Sequence, residues 1–354
     1  MSKFFSEKYK GLTPYTPGEQ PKERKFIKLN TNESPYPPSK KAIEAAAEAA
    51  GCLQLYSDPE AKLLHEKIAE LCGVTPDCVL ATNGSDEILN FAFMAFCDDE
   101  HLAIFPDITY GFYSVFAELN RVPYKTVPLS DDFTINIEDY FNAGGTVFIA
   151  NPNAPTGICL SLDEIEKIVA TNQDNVVVID EAYIDFGGES AVGLTKRYKN
   201  LLVTQTFSKS RSMAGARLGF GVACPELIRD LNTIKYSTNP YNVNSMTMAA
   251  GVGVLCDEEY TRSNCASVIA NREYAMAELK ALGFEMTNSK ANFIFAKHPC
   301  IDGGEIYLAL REKGILVRHF TGERISQYNR ITVGSREQMQ ALISAIKEIL
   351  EEKK

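Results

Sequence analysis

Tryptophan is absent from the 354 residues, and the four histidines show no spacing typical of metal ligands, so a metal site is not expected. No apolar run approaches the roughly 20 residues that a membrane-spanning helix needs. The mixed, polar N-terminal segment also lacks the apolar core of a signal peptide. These absences lead us to expect a cytoplasmic protein without a membrane partner.

Cysteine chemistry and charge exclude further classes. The nine cysteines contain no Cys-x-x-Cys pair, and most lie in apolar stretches, as expected for buried free thiols in a reducing compartment. The net charge of −10 argues against nucleic acid or an anionic membrane as a partner. The chain is long enough for one large domain and a smaller one, each with its own core.

Strands and helices alternate through the middle of the sequence. This alternation predicts an α/β fold with a mostly parallel, doubly wound sheet over roughly residues 75–240. The strand candidates are 79–81, 102–105, 124–129, 146–150, 176–180, 201–206 and 218–223. After them comes a long helical region, followed by shorter strands and helices typical of a smaller α+β domain. We therefore expect an N-terminal arm (1–38), a large domain (39–240) and a small C-terminal domain (241–354).

The stretch 201–220 contains the most informative residues. An apolar run ends at Ser208, Lys209 and Ser210, and Arg217 follows after several small residues. A lysine on a surface loop is most often a solvated charge. Because this one follows a buried strand, its amine would be partly desolvated, which suits a nucleophile that attacks a carbonyl. The small residues would let the backbone approach a phosphate, for which Arg217 offers a bidentate partner.

Three more segments place polar groups where predicted strands end. Gly84, Ser85 and Asp86 lie between a strand and a helix, where free N–H groups attract a phosphate, although a plain N-cap turn has the same pattern. Residues 151–157 (NPNAPTG) form at least a rigid turn, and their prolines would also fix an Asn side chain. Asp180 ends an apolar strand at the sheet edge where α/β proteins bind ligands, and a buried carboxylate there needs a cation.

Together these groups match one cofactor, pyridoxal 5'-phosphate. It has a phosphate, an aldehyde that a lysine can attack, a pyridine nitrogen that an acid can keep protonated, and a phenolic oxygen that accepts hydrogen bonds. The residues that would meet these groups are the turn 84–86 with Ser208 and Arg217, then Lys209, Asp180, and Tyr183 with an Asn of 151–157. Tyr110 could stack on the ring.

The spacing of these motifs resembles that of fold-type I pyridoxal-phosphate-dependent aminotransferases. Within that family, essentially the whole chain resembles the histidinol-phosphate aminotransferases. The marks of this group are LTPY (12–15), KLNTNE (28–33), Tyr56 with Asp58-Pro59, DEAYIDF (180–186) and RITVG (330–334). The resemblance implies a homodimer in histidine biosynthesis. It would move an amino group between L-histidinol phosphate and 2-oxoglutarate, giving imidazole acetol phosphate and glutamate by a ping-pong mechanism.

The resemblance also implies a role for each matching position. Lys209 would form the Schiff base with the cofactor and then move the proton as general base and acid. Arg330 would bind the carboxylate of glutamate or 2-oxoglutarate, while Tyr15 and Arg318 would hold the phosphate of histidinol phosphate. The remaining cofactor contacts would come from Gly84, Ser85, Asp86, Tyr110, Asn153, Asp180, Tyr183, Ser208, Arg217 and, from the other subunit, Tyr56.

Two segments depart from the family pattern. The arm reads NESPYPP at 32–38, where the family commonly has Asn-Pro-Tyr-Gly. The Asn that usually precedes Pro-Thr-Gly is Ala154 here, and Asn153 lies one residue earlier. We expect Asn153 to take over the hydrogen bond to the phenolic oxygen of the cofactor. Because tryptophan is absent, aromatic contacts to an imidazole would come from Tyr or Phe.

Alternatives remain open at this point. Arg318 and Arg330 could be surface ion-pair partners, and Tyr15 could simply pack the arm. At the level of function, the same scaffold could serve an aromatic or broad-specificity amino-acid transaminase, a lyase resembling threonine-phosphate decarboxylase, or a binding module without activity.

Overall fold

The computed structural model describes residues 2–21 and 24–353. Over these residues the strands are β1 (Ile27–Lys28), β2 (Val79–Thr82), β3 (Ala103–Pro106), β4 (Tyr124–Val127), β5 (Thr146–Ala150), β6 (Val177–Asp180), β7 (Leu201–Thr206), β8 (Gly219–Val222), β9 (Glu285–Met286), β10 (Phe293–Lys297), β11 (Ile315–Leu316), β12 (Arg318–His319) and β13 (Asn329–Thr332). The helices are α1 (Lys40–Ala49), α2 (Lys62–Cys72), α3 (Ser85–Phe96), α4 (Phe112–Asn120), α5 (Leu162–Thr171), α6 (Pro225–Thr238), α7 (Ser245–Leu255), α8 (Glu258–Ala281), α9 (Gly303–Glu312) and α10 (Arg336–Glu352).

The large sheet has seven strands in the order β2-β8-β7-β6-β5-β3-β4. β8 runs antiparallel to both of its neighbours, and the other adjacent strands are parallel. Every residue of β3, β5, β6 and β7 is buried, because helices cover both faces of the sheet. α3, α4 and α6 pack on one face, and α2, α5 and α7 on the other. The predicted α/β class with a mostly parallel sheet is confirmed.

The register of the parallel strands brings the ends of three strands together at one edge of the sheet. Ala150 pairs with Asp180, and Asp180 pairs with Thr204, so β5, β6 and β7 end side by side. The polar residues that follow these strands in the sequence therefore emerge at the same edge, where α/β sheets bind their ligands.

A smaller antiparallel sheet, β12-β13-β10-β9, forms the second core together with α8, α9 and α10. The arm joins this part, since β1 pairs in parallel with β11 and Leu29 is buried in the same core. The predicted long helical region is two helices. The first, α7, packs on α1 and places Ala250 and Val254 in the core of the large sheet.

The predicted boundary between the large and the small domain, at residue 240, stays a proposal. Because α7 packs with the large sheet, a boundary near residue 256 would fit the packing better. In the described part of the chain, each helix is too short or too polar to cross a lipid bilayer.

Candidate active site

A cavity of about 600 Å³ lies at this edge of the large sheet, with walls from the arm, the strand ends and the segment 318–330. It brings together most of the predicted site residues: Tyr15, Ser85, Asp86, Tyr110, Asp180, Tyr183, Ser208, Lys209, Arg217, Arg318 and Arg330. Gly84 lies directly behind Arg217, whereas Asn153 and Tyr56 do not line the cavity.

Lys209 lies just beyond the carboxyl end of β7, half-buried. Its Nζ donates a hydrogen bond to the carbonyl of Thr31 at 3.3 Å and lies 5.8 Å from the centre of the Tyr183 ring. Burial, together with the positive charge of Arg330, lowers the pKa of Lys209 to about 8. A substantial unprotonated fraction near neutral pH is what a nucleophilic amine needs.

Asp180 is the last residue of β6, with only 4% of its surface exposed. The hydroxyls of Thr204 and Tyr113 donate to its carboxylate, each at 3.3 Å. No cation from the described residues pairs with it, and burial raises its pKa to about 7. A positively charged ring nitrogen placed against this carboxylate would supply the missing counter-charge.

The start of α3 and Arg217 form an anion-binding corner. Gly84 has φ of +82°, and a side chain on it would clash with the Arg217 guanidinium. The next residue, Ser85, begins α3, so free N–H groups point toward the corner. Arg217 bonds Asp86 through Nη2 at 3.1 Å and Ser208 Oγ through Nη1 at 3.2 Å. Cationic and N–H donors at one point suit a phosphate.

Two tyrosines face the same space. Tyr110 donates its hydroxyl hydrogen to Asp86 at 2.7 Å. Tyr183 is buried, which raises its pKa, and its hydroxyl accepts a hydrogen bond from Asn32 Nδ2 at 3.0 Å. Asn32, which also lines the cavity, was missed as a site residue. It lies in the KLNTNE mark, but that pattern alone gave no indication of its contact with Tyr183.

Asn153 requires a correction. It is buried, and its Nδ2 donates to the carbonyl of Ile108 at 3.0 Å and to Thr156 Oγ1 at 3.1 Å. Its Oδ1 accepts the Thr109 hydroxyl at 2.8 Å. Because both ends of the amide hold the loop together, Asn153 is not placed to bond a ligand in the cavity. Ala154 lines the cavity instead.

Arg330 projects from β13 without a carboxylate partner among the described residues. Its Nη2 donates to the carbonyl of Asn30 at 3.2 Å, and its Nε has no hydrogen-bond partner there. The guanidinium lies 5.4 Å from the Phe293 ring centre and 5.8 Å from that of Phe320. Burial lowers its pKa. The alternative that Arg330 is a surface ion-pair partner is therefore not supported, and the arrangement suits an incoming carboxylate.

Arg318 and Tyr15 lie on the arm side of the cavity. Arg318 donates to the carbonyls of Thr16 at 3.2 Å and Pro17 at 3.3 Å. Tyr15 stacks on Phe112, with 4.2 Å between ring centres. Both residues thus have structural contacts in addition to their position in the cavity wall.

Tyr56 lies away from the cavity, 83% exposed and stacked on Tyr241 with 4.5 Å between ring centres. A role across a subunit interface therefore stays a prediction.

Arg324 was also missed from the sequence. It lies in the segment after β12, lines the cavity, and pairs with Asp107 at 3.1 Å. Its Nη2 donates to the carbonyls of Leu129 at 2.9 Å and Ser130 at 2.7 Å. These contacts fasten the segment to the large sheet. No local pattern identifies such a residue, because its partners are about 200 positions away in the sequence.

Comparison with known proteins agrees with this geometry. Residues 24–346 match the family described as aminotransferase class I and II. The chain is 49% identical over 352 residues to the histidinol-phosphate aminotransferase of Brachyspira hyodysenteriae, covering 99% of both chains. It is 50% identical over 356 residues to that of Aromatoleum aromaticum, covering 99% of this chain and 100% of the relative.

A crystal structure of histidinol-phosphate aminotransferase from Sinorhizobium meliloti, in complex with pyridoxal-5'-phosphate, has a TM-score of 0.86 and covers 94% of this chain and 93% of its own. At 22% identity it establishes likeness of fold alone. The sequence relatives and the family match establish more: this chain belongs to the class I and II aminotransferases and, within them, to the histidinol-phosphate aminotransferases.

Proposed function

We propose that this aminotransferase converts L-histidinol phosphate and 2-oxoglutarate into imidazole acetol phosphate and glutamate, a step of histidine biosynthesis. The observation that carries the proposal is the position of two arginines, Arg318 and Arg330, in the same cavity as Lys209. Neither arginine has a carboxylate partner among the described side chains, so both can bind anionic groups of substrates.

The cofactor is pyridoxal 5'-phosphate, and the residues present fit it. When bound, it supplies an electron sink that stabilises negative charge at the substrate carbon. The corner of Ser85, Ser208 and Arg217 would hold its phosphate, and Asp180, which lacks a cation, would hold its ring nitrogen. Tyr183 would bond its phenolic oxygen, with Asn32 orienting the tyrosine hydroxyl in place of the predicted Asn153. Tyr110 would face the ring.

Lys209 would attack the aldehyde and move the proton between the substrate carbon and the cofactor. Its lowered pKa lets it accept a proton near neutral pH and release it again within one turnover. Burial of the amine also limits exchange of that proton with bulk water.

The two substrates would share one cavity in turn. Arg330, with an unpartnered Nε, would bind the carboxylate of 2-oxoglutarate or glutamate. Arg318 and Tyr15 would bind the phosphate of histidinol phosphate at the arm side. A cavity of about 600 Å³ accommodates one such molecule beside the cofactor.

We further propose a homodimer located in the cytoplasm. Tyr56 and its neighbours Leu53 and Leu55 are 83%, 54% and 66% exposed, which is typical of a surface that a partner covers. Tyr56 would then reach the cofactor phosphate of the other subunit. All nine cysteines are unpaired, as expected in a reducing compartment.

An absorption titration of the purified holoenzyme tests the substrate assignment. The cofactor band should fade when L-histidinol phosphate is added and return with 2-oxoglutarate. If only glutamate or aromatic amino acids bleach the band, the aminotransferase assignment stands and the substrate proposal is wrong. Release of carbon dioxide from threonine phosphate, without dependence on a keto acid, would indicate the lyase instead.

A further inference from the structure

A second cavity, of about 490 Å³, lies between the end of α2, the segment 190–193 and the first turns of α8. Among the described residues, it shares no lining residue with the cavity of Lys209. Part of its wall is apolar, formed by Leu71, Val192 and Ile269, and part is polar, formed by Arg211, Glu258 and Thr261.

The polar part of this wall has unused hydrogen-bonding atoms. Arg211 and Thr261 are only 4% and 5% exposed. The Nε of Arg211, the Oγ1 of Thr261 and the Oε1 of Glu258 are buried and have no hydrogen-bond partner in the part of the chain that is described. Buried polar atoms are normally paired, so these three atoms around one cavity are available for hydrogen bonds with a polar ligand.

The charges around the cavity are balanced. Arg211 and Arg262 are positive, and Asp185 and Glu258 are negative. Arg211 and Asp185 already form an ion pair at 3.2 Å, so a simple anion would still meet Glu258 and a simple cation would still meet Arg262. A zwitterion satisfies both, because its carboxylate can accept from Arg211 Nε while its ammonium group donates to Glu258 Oε1.

The apolar part of the wall indicates what side chain the ligand carries. Leu71, Val192 and Ile269 offer a surface for an aliphatic side chain next to the charged groups. Reaction through the two cysteines of the wall is disfavoured, because burial raises the pKa of both Cys72 and Cys265 to about 12. We propose that this cavity is a binding site for a free aliphatic α-amino acid, separate from the substrate site.

The site is connected to the catalytic lysine through a short chain of contacts. Arg211 Nη1 lies 3.2 Å from Asp185 and 3.3 Å from the Ser210 hydroxyl, and Ser210 in turn donates to Asp185. Ser210 follows Lys209 directly, and Asp185 is two residues after Tyr183. A ligand that displaces Arg211 would therefore also displace Ser210 and Asp185, which are close in sequence to Lys209 and Tyr183. Ligand binding should for this reason change kcat for transamination.

Calorimetry with N,N-dimethyl-L-leucine on the holoenzyme tests the proposal. Its tertiary amine keeps the zwitterion and one N–H donor but cannot condense with an aldehyde, so reaction at Lys209 is excluded. We expect saturable binding of one molecule per chain. 4-Methylpentanoate, which lacks the cationic group, and N,N-dimethylisoamylamine, which lacks the carboxylate and also cannot condense with an aldehyde, should each bind about tenfold more weakly.

Two conservative variants test the wall directly. Glu258→Gln replaces the charged acceptor by a neutral amide, and Thr261→Val removes a hydroxyl, so each should weaken binding of the probe by about tenfold. Glu259→Gln is the matched control, because Glu259 is exposed on the same turn of α8 and does not line the cavity. Unchanged melting temperatures would establish that the variants fold.

The proposal is overturned if no saturable binding occurs, if both wall variants bind the probe as wild type does, or if 4-methylpentanoate binds equally well. The binding assay needs no turnover, so this result is independent of the substrate proposed for the active site. A change in kcat on adding the probe to wild type, and its loss in Thr261→Val, would establish the connection to Lys209.

Discussion

Burial acts in opposite directions on Lys209 and Asp180. Removing an ionisable group from water disfavours its charged form, so the pKa of the lysine falls to about 8 and that of the aspartate rises to about 7. Both shifts are typical of groups that await a partner. The lowered pKa leaves part of the amine unprotonated and able to react. A cation placed against the carboxyl group would favour its charged form.

The cofactor-free protein should show the cost of burying Asp180. Because its folded pKa lies above its ordinary value of 3.8, the stability contributed by this group is fully present below about pH 4 and is lost as pH rises through 7. Asp180→Asn removes the charge. We expect the apo variant to be more stable than apo wild type at pH 8, by up to roughly 4 kcal/mol, with little difference at pH 4.

Urea unfolding of both apo proteins at the two pH values measures this difference. An equal difference at both values would contradict the assignment to ionisation of Asp180. With cofactor the order should reverse, since the neutral amide of Asp180→Asn would leave the ring nitrogen without a counter-charge, and activity should fall at least about a hundredfold.

Substitution of Asn153 should lower the stability of the protein, whereas substitution of Asn32 should change the pH titration of the cofactor. Asn153→Ala removes the hydrogen bonds that hold the 151–157 loop, so we expect a loss of about 1–3 kcal/mol of stability. The pH titration of the cofactor absorption should remain unchanged. Asn32→Ala should instead shift that titration, because Asn32 bonds the Tyr183 hydroxyl. A shift of the titration in Asn153→Ala alone would restore the original prediction.

At the scale of elements, local patterns predicted most of the fold. All seven strands of the large sheet were predicted, and β3, β5, β6 and β7 are buried throughout, as expected for apolar strands covered on both faces. The position of Lys209 and Asp180 at strand ends followed from the same patterns. The break between α7 and α8, at Cys256 and Asp257, was missed because neither glycine nor proline marks it.

Contacts between distant segments could not be read from the sequence. The partners of Asn153 include Ile108 and Thr109, more than forty positions away, so its orientation depends on how two loops pack. Asn32 reaches Tyr183 only because the arm folds back over the strand ends. Both outcomes are set by tertiary packing, whereas spacing along the chain carries only local information.

Arg324 should position the segment after β12 without touching the cofactor. Removing its contacts with Asp107 and two carbonyls should release this wall of the cavity. We expect Arg324→Ala to raise KM for both substrates by about tenfold, while cofactor affinity stays as in wild type. Steady-state kinetics and cofactor titration measure the two effects separately.

Asp107→Asn supplies the control for Arg324. If the ion pair is the connection, the double variant should be no worse than Arg324→Ala alone. A fall in kcat with unchanged KM would argue against a positioning role.

At the scale of the whole molecule, one cavity depends on three separate parts of the chain. The arm contributes Tyr15 and Asn32, the large sheet contributes Lys209 and Asp180, and the C-terminal part contributes Arg330. The β1–β11 pairing fixes the arm to the C-terminal part. The family match and the sequence relatives confirm the family and the pyridoxal-phosphate dependence that the motifs predicted. The residues of those motifs lie at strand ends that the fold brings together.

A mixed dimer tests whether Tyr56 completes the site of a partner subunit. Lys209→Ala chains should be inactive, since they lack the reactive amine, and Tyr56→Ala chains should bind the cofactor weakly. In a hybrid of the two, the Tyr56→Ala chain keeps Lys209 and receives Tyr56 from its partner. If Tyr56 acts across the interface, each hybrid has one intact site, and activity should exceed that of both parent homodimers.

Tagging the two chains differently allows the hybrid to be purified and its kcat and cofactor affinity measured. A hybrid that shows only the weak activity of the Tyr56→Ala chain would place Tyr56 in its own subunit's chemistry or outside the site altogether. Because Tyr56 is 83% exposed and stacked on Tyr241, away from its own cavity, we expect the recovery of one site with wild-type cofactor affinity. That recovery requires a dimer, so the same measurement tests the assembly and the residue together.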